Sequence, residues 1–262
     1  MPTRLPADLR RLIALQHGVI ARRQALAAGL ATDAVEALLE SGRWSRLQRG
    51  VYATFGGEPW REAVLWAALL RAGPGAVLSH ETAAEVTGLA DSPSRPIHVT
   101  VPGGRQAGRA QCIPGVVVHR SIRARQTRRP SVLPPQTRIE DTVLDLTQAV
   151  RAFDEAAAWL SRATERGLAT PEQIRAALGA RRKVRWRAAI TNVLRDMSAP
   201  APSAKPSAET SPGTARAPPC GHRRTGTQPP STATLAAPHW QPRTGTAARA
   251  PSTAVRASPH AR

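Results

Sequence analysis

Apolar residues recur at helical spacing three times near the start of the chain. Leu9, Leu12 and Ile13 predict a helix from Ala7 to Gln16 that Gly18 ends. Ala25 and Leu26 form the inward side of a second helix over Arg22–Ala28, with Gly29 as its stop. Val35, Leu38 and Leu39 mark a third, which Thr32 is expected to cap and Gly42 to close. The period then changes. Trp44–Leu47 and Val51–Ala53 predict two strands around the Gln48-Arg49-Gly50 turn. Three short helices followed by a two-stranded wing are the outline of a winged helix-turn-helix, assigned here to residues 1–58.

A mixed α/β zone follows over residues 59–198. Helices are expected at Trp60–Ala72, from Ser79 through HETAAEVTG, and at Thr137–Val150, Arg151–Arg166, Pro171–Leu178 and Val184–Asp196. Thr170, Pro171 and Gln173 supply a cap, a first-turn proline and a capping-box partner for the fifth of these. Ile97–Val101 alternates as a strand, Val116–His119 predicts another, and a turn-rich loop joins them. The fold class is therefore α+β.

From Pro200 the chain changes character: 12 of its 24 prolines fall in this segment, with one acid, Glu209, among eight basic residues. So few large apolar side chains cannot offset chain entropy, so residues 199–262 are expected to be a disordered Pro/Ala/Thr/Arg-rich tail. Its composition also fits an alternate reading frame of GC-rich DNA, a frameshift product. Both origins stay open on composition alone.

Composition narrows the function classes. A formal net charge of +19 and a pI near 11.8 favour polyanionic partners. Arginine supplies nearly all of that charge, with Lys183 and Lys205 the only lysines, a bias that GC-rich codon usage also produces. Cys112 and Cys220 stand apart from any metal-ligand spacing, so neither zinc nor a structural disulfide is expected. No apolar run marks a signal peptide or a membrane span, so the expected location is the cytoplasm.

The segments QHGVIARRQALAAGL (16–30), SGRWSRLQRGVY (41–52), GPGAVLSHETAAEVTGL (73–89), PIHVTVP (96–102) and GVVVHRS (115–121) resemble the AbiEi-type antitoxins of type IV toxin–antitoxin systems, over about residues 5–195. The resemblance implies a DNA-binding transcriptional regulator that represses its own operon. It also implies a cognate toxin countered without a direct complex. Many relatives with this arrangement carry a C-terminal endonuclease-like domain similar to very-short-patch-repair nucleases, which is absent here. A truncated relative of such a nuclease that keeps only its DNA-binding parts is one alternative. A protein-interaction adaptor is another.

Candidate DNA contacts follow from the winged-helix reading. Arg22, Arg23 and Gln24 open the second helix, Thr32 opens the third, and Arg43, Arg46 and Arg49 lie on the wing. The outer side of the third helix carries Asp33, Glu36 and Glu40 and no cation, an unusual surface for a helix facing phosphates. Stronger basic signals lie further on. Nine arginines and no acid occur between Asp91 and Glu140, Arg120, Arg123 and Arg125 among them, and a second cluster comprises Arg181, Arg182, Lys183, Arg185 and Arg187. Enzymatic constellations are poor. His80, followed by Glu81, sits near a helix start, where a capping or packing role is expected, His119 ends a strand, and Asp141 and Asp145 read as a surface pair four residues apart. No catalytic residue, metal or cofactor is expected, and no phosphate loop or nucleophile motif occurs.

Overall fold

The computed structural model describes residues 5–103 and 113–198, all within one compact unit. The expectations for the 199–262 tail, for Cys112 and Cys220, and for most of the loop that follows the first predicted strand of the middle zone lie outside the described residues.

The N-terminal helices form where the apolar spacing places them: α1 Ala7–Leu15, α2 Arg22–Ala27 and α3 Thr32–Glu40. Gly18 turns the chain out of α1 with φ +79°, and a Cβ there would meet the Phe55 ring at 2.6 Å. Only glycine meets both demands without strain. Two expectations are corrected. Ala31, not Thr32, is the cap residue of α3, and no side chain caps it. Leu26 is exposed at an open cleft beside Leu70 and Arg71, and Leu39 is only partly buried.

That sheet has three strands rather than the two expected of the wing. β1 (Val19–Ala21) pairs antiparallel with β3 (Val51–Ala53), which pairs with β2 (Ser45–Gln48), in the order β1-β3-β2. The period-2 pleat divides the strand residues between two cores. Ile20 and Tyr52 join Leu9, Ala25, Leu30, Val35, Leu38 and Trp44 beneath the helices. Val19, Ala21 and Val51 point the other way, onto α4 (Arg61–Ala72). The order helix–strand–helix–helix–strand–strand is that of a winged helix.

Helix α4 is apolar on nearly every side, with Ala63, Leu65, Trp66, Ala67, Ala68, Leu69 and Leu70 buried. The reason is its position: it packs against the first sheet and also against a second one. The second sheet has the order β4-β5-β6, formed by Val77–Leu78, Ile97–Pro102 and Val116–Ser121. β4 runs antiparallel to β5, whereas β6 runs parallel to it, with Thr100 opposite His119. Ile97, Val99 and Val101 enter the core shared with α4, so His98 and Thr100 occupy the opposite side of the strand.

A helical layer completes the unit. α5 (His80–Val86), the short α6 (Ala124–Thr127), α7 (Ile139–Ala149), α8 (Phe153–Glu165), α9 (Pro171–Gly179) and α10 (Arg187–Ser198) follow in order. Ala84, Leu89, Val143, Leu144, Leu160, Ile174, Ile190 and Leu194 share one core among α5, α7, α8, α9 and α10. The cap predicted at α9 is present: Thr170 Oγ1 accepts from Gln173 N, and Gln173 Oε1 accepts from Thr170 N. The Arg61 guanidinium meets Glu85 at 2.6 and 2.7 Å and reaches Ser94 O, tying α4 to α5. This paired arrangement holds the Glu85 carboxyl below its ordinary value although burial works the other way. No helix among the described residues is long and apolar enough to cross a membrane.

Candidate nucleic-acid interface

The acidic outer side of α3 does not stand alone. Glu36 is approached by Arg22 from the first turn of α2 at 3.6 Å and by Arg46 from β2 at 3.5 Å. Two guanidinium groups on one carboxylate leave a net positive charge at the junction of α2, α3 and the wing. All three side chains keep substantial exposure, Arg46 the most at 69%. The pair energies are correspondingly small, about 0.2–1 kcal/mol each, so the arginines are held loosely. Asp33 and Glu40 remain exposed on the same helix.

The other predicted contacts divide by what already engages them. Arg23 donates to the Leu70 carbonyl at 2.8 Å, bridging α2 to α4, and partial burial lowers its pKa. Gln24 accepts from the Ala21 amide at 3.0 Å, which caps the start of α2. Both side chains are thus committed to the fold. Thr32 and Arg43 are exposed, as is Arg49 in the wing turn. Arg22, Arg23, Arg49 and Arg71 together line a cleft of about 340 Å³ between α2, the wing and the end of α4. Arg71 lies outside the wing and carries no local signal of such a role. Only the packing of α4 against the sheet brings it to this cleft.

The basic residues of the middle zone form a different site. Arg120 and Arg123 line a pocket of about 350 Å³ with Arg181, Arg182, Lys183, His80, His119 and Asp145. Arg125 is exposed on α6, away from that lining. The expectation of a basic 181–187 surface is corrected at Arg181 and Arg187, whereas Arg185 stays exposed although engaged. Arg181 is buried in ion pairs with Asp141 at 3.0 Å and Asp145 at 2.7 Å. Arg185 donates to the Val150 and Arg151 carbonyls and stacks on Trp186. Arg187 donates to the carbonyls of Leu178 and Arg181. Asp141 and Asp145 are likewise not a surface pair, since helix α7 turns them inward against Arg181. Burial drives the Asp145 carboxyl up against the pull of Arg181. Burial works to lower the Arg181 guanidinium, but the two carboxylates outweigh it and raise it.

Two histidines, His80 and His119, line the same pocket, and His98 stands beside them. His80 opens α5, His98 lies on β5 and His119 on β6, and ring nitrogens of all three lie within 4.8 Å of one another. His98 Nδ1 is 3.0 Å from His119 Nε2, and the His80 ring stacks on His119 with centroids 3.8 Å apart. His80 does not cap its helix. Its Nδ1 contacts Ser79 Oγ, which also accepts from Thr100. Burial, and then the neighbouring His119, pushes the His80 pKa down to about 3. Burial, followed by His98, lowers His119 as well. His98 lies in the PIHVTVP segment but carries no local signal of such a role, although strand alternation alone places it beside Thr100. What sequence does not show is that β6 lies parallel to β5 and brings His119 alongside.

The helix–strand order, the three-stranded sheet and the arginine-bearing wing define a winged-helix module. Residues 7–54, which comprise it, match the family described as transcriptional regulator, AbiEi antitoxin. No curated protein matches the chain.

Proposed function

We propose that this protein is a DNA-binding transcriptional regulator of the antitoxin type that grips double-stranded DNA through its winged helix and represses its own operon. The observation that carries the reading is the arginine frame of the module. Arg22 and Arg46 flank Glu36, and Arg49 and Arg71 line the adjoining cleft, on a segment whose family is one of regulators. Phosphate contacts by Arg22, Arg46 and Arg49 supply affinity and register, with Thr32 and Arg43 at the margin. Arg120, Arg123 and Arg125 extend the basic surface into the middle zone. Arg23 and Gln24 act by holding α2 in place. A neighbouring toxin, countered without a complex between the two proteins, completes the reading, and the expected location is the cytoplasm.

The test is a mobility-shift titration with the DNA upstream of this gene over a range of salt. Replacing Arg22 and Arg46 together by alanine should weaken binding. It should also flatten the log–log salt dependence by about one unit for each phosphate no longer neutralised. Glu36→Gln removes the charge that restrains both arginines and should tighten binding about two- to fivefold, the equivalent of roughly 0.5–1 kcal/mol. An unchanged salt slope in the double variant, with Glu36→Gln neutral, would remove the winged helix from the contact surface.

A further inference from the structure

We propose that His80, His98 and His119 form a binding site for one divalent transition metal of the zinc, cobalt and nickel class, with a fourth position open to an oxyanion in the basic pocket. This goes beyond DNA binding and uses none of the winged-helix residues.

The geometry is near that of a three-histidine site. A tetrahedral ion with metal–nitrogen bonds of about 2.0–2.1 Å sets its ligand nitrogens about 3.3 Å apart. The 3.0 Å between His98 Nδ1 and His119 Nε2 needs to open by only a few tenths of an ångström. The His80 ring must turn out of its stack on His119, because an ion lies in the plane of each imidazole that binds it. Ser79 Oγ at His80 Nδ1 leaves Nε2 as the ligand atom. The surroundings are those of a metal site rather than of a structural cluster. Glu81 Oε2 lies 3.2 Å from His98 Nε2, buried and without an aligned hydrogen bond, in the place of the carboxylate that orients a ligand histidine. His80 holds φ +50°, a left-handed conformation that costs energy in a non-glycine residue and gathers at functional positions. Imidazole donors without a thiolate select borderline ions over soft ones. His80 and His119 face a pocket whose other cations include Arg123, Arg182 and Lys183, so the open position suits a phosphate-type oxygen. Arg181, which also lines the pocket, is already offset by Asp141 and Asp145.

The full chain, stripped with a chelator, should take up one equivalent of Zn²⁺ by calorimetry, and Co²⁺ should give the intense visible bands of a four-coordinate ion. Inorganic phosphate should shift those bands. His98→Ala and His119→Ala should each weaken binding at least about a hundredfold, and Glu81→Gln about ten- to a hundredfold. Circular dichroism reports whether each variant folds. If the alanine variants do not fold, His119→Gln and the partly exposed Glu81→Gln carry the test. The chain has seven histidines, so equal uptake by wild type and the triple variant His80→Ala/His98→Ala/His119→Ala would mean an adventitious ion and overturn the proposal. So would the absence of stoichiometric uptake, or phosphate binding that is indifferent to metal. None of these readouts involves DNA, so they stand or fall apart from the regulator reading.

Discussion

Replacing Arg181 by methionine isolates the most buried charge network of the middle zone. Its guanidinium reaches Asp145 Oδ1 at 2.7 Å and both Oδ1 and the carbonyl of Asp141 at 3.0 and 2.9 Å. The Arg181, Asp145 and Asp141 side chains are only 14%, 22% and 5% exposed, so water screens them weakly. Methionine approximates the apolar stem of arginine but leaves two carboxylates without their cation. Breaking a buried pair in this way costs about 3–5 kcal/mol. For a chain of this size that is a fall in Tm of roughly 6–20 °C. The deficit must also depend on pH. The Asp145 carboxyl already sits above its ordinary value, and loss of Arg181 moves it higher. A carboxyl raised in the folded state stabilises the fold when protonated, and that contribution is lost as pH rises through the folded pKa. The penalty measured at pH 7.5 should therefore shrink at pH 5, by about 1.4 kcal/mol for each unit of further shift fully titrated in that window. Urea unfolding at the two pH values reads both numbers, with an unchanged m value as the check on two-state behaviour. Adding Asp145→Asn should recover part of the loss. A deficit below about 1 kcal/mol, or one equal at both pH values, would refute a desolvated pair and point to a solvated one.

Other perturbations test separate parts of the structure. His80 has its pKa depressed from 6.5 to about 3, so the unfolded chain takes up the proton first. The associated stability is present above pH 6.5 and lost as pH falls toward 3. Between pH 8 and pH 5 the loss is about 2 kcal/mol in metal-free protein, and His80→Gln should flatten that slope in urea titrations. Gly18→Ala places a Cβ 2.6 Å from Phe55 at φ +79° and should cost about 1–3 kcal/mol, read as a lower thermal midpoint. Thr170→Ala removes the acceptor for Gln173 N and should cost about 1 kcal/mol, with amide exchange accelerated at the start of α9.

The helices were legible in the sequence because their signals are local. Leu9, Leu12 and Ile13 lie on one side of a helix wherever it packs, and the Thr170–Gln173 box closes within its own turn. Positive-φ glycines at positions 18, 29 and 42 end helices by their own conformational freedom, which a sequence displays directly. The winged helix followed from that order of elements, and so did the α+β class. What stayed hidden depends on partners distant in the chain. β1 and β4, of three and two residues, are strands only because β3 and β5 pair with them, and neither is long enough to show a period. Asp141 and Asp145 share a helix side in any reading, but only the approach of Arg181 after α9 turns that side from solvent to interior. Arg22 and Arg46 read as free cations in the sequence, and it is α3 that sets Glu36 between them. The three histidines come from a helix start and two strands whose parallel pairing no local pattern encodes. Local propensity and periodicity thus determined the elements. Tertiary contact, through burial and through charges brought within a few ångströms, decided which polar residues hold the fold together and which are left to act.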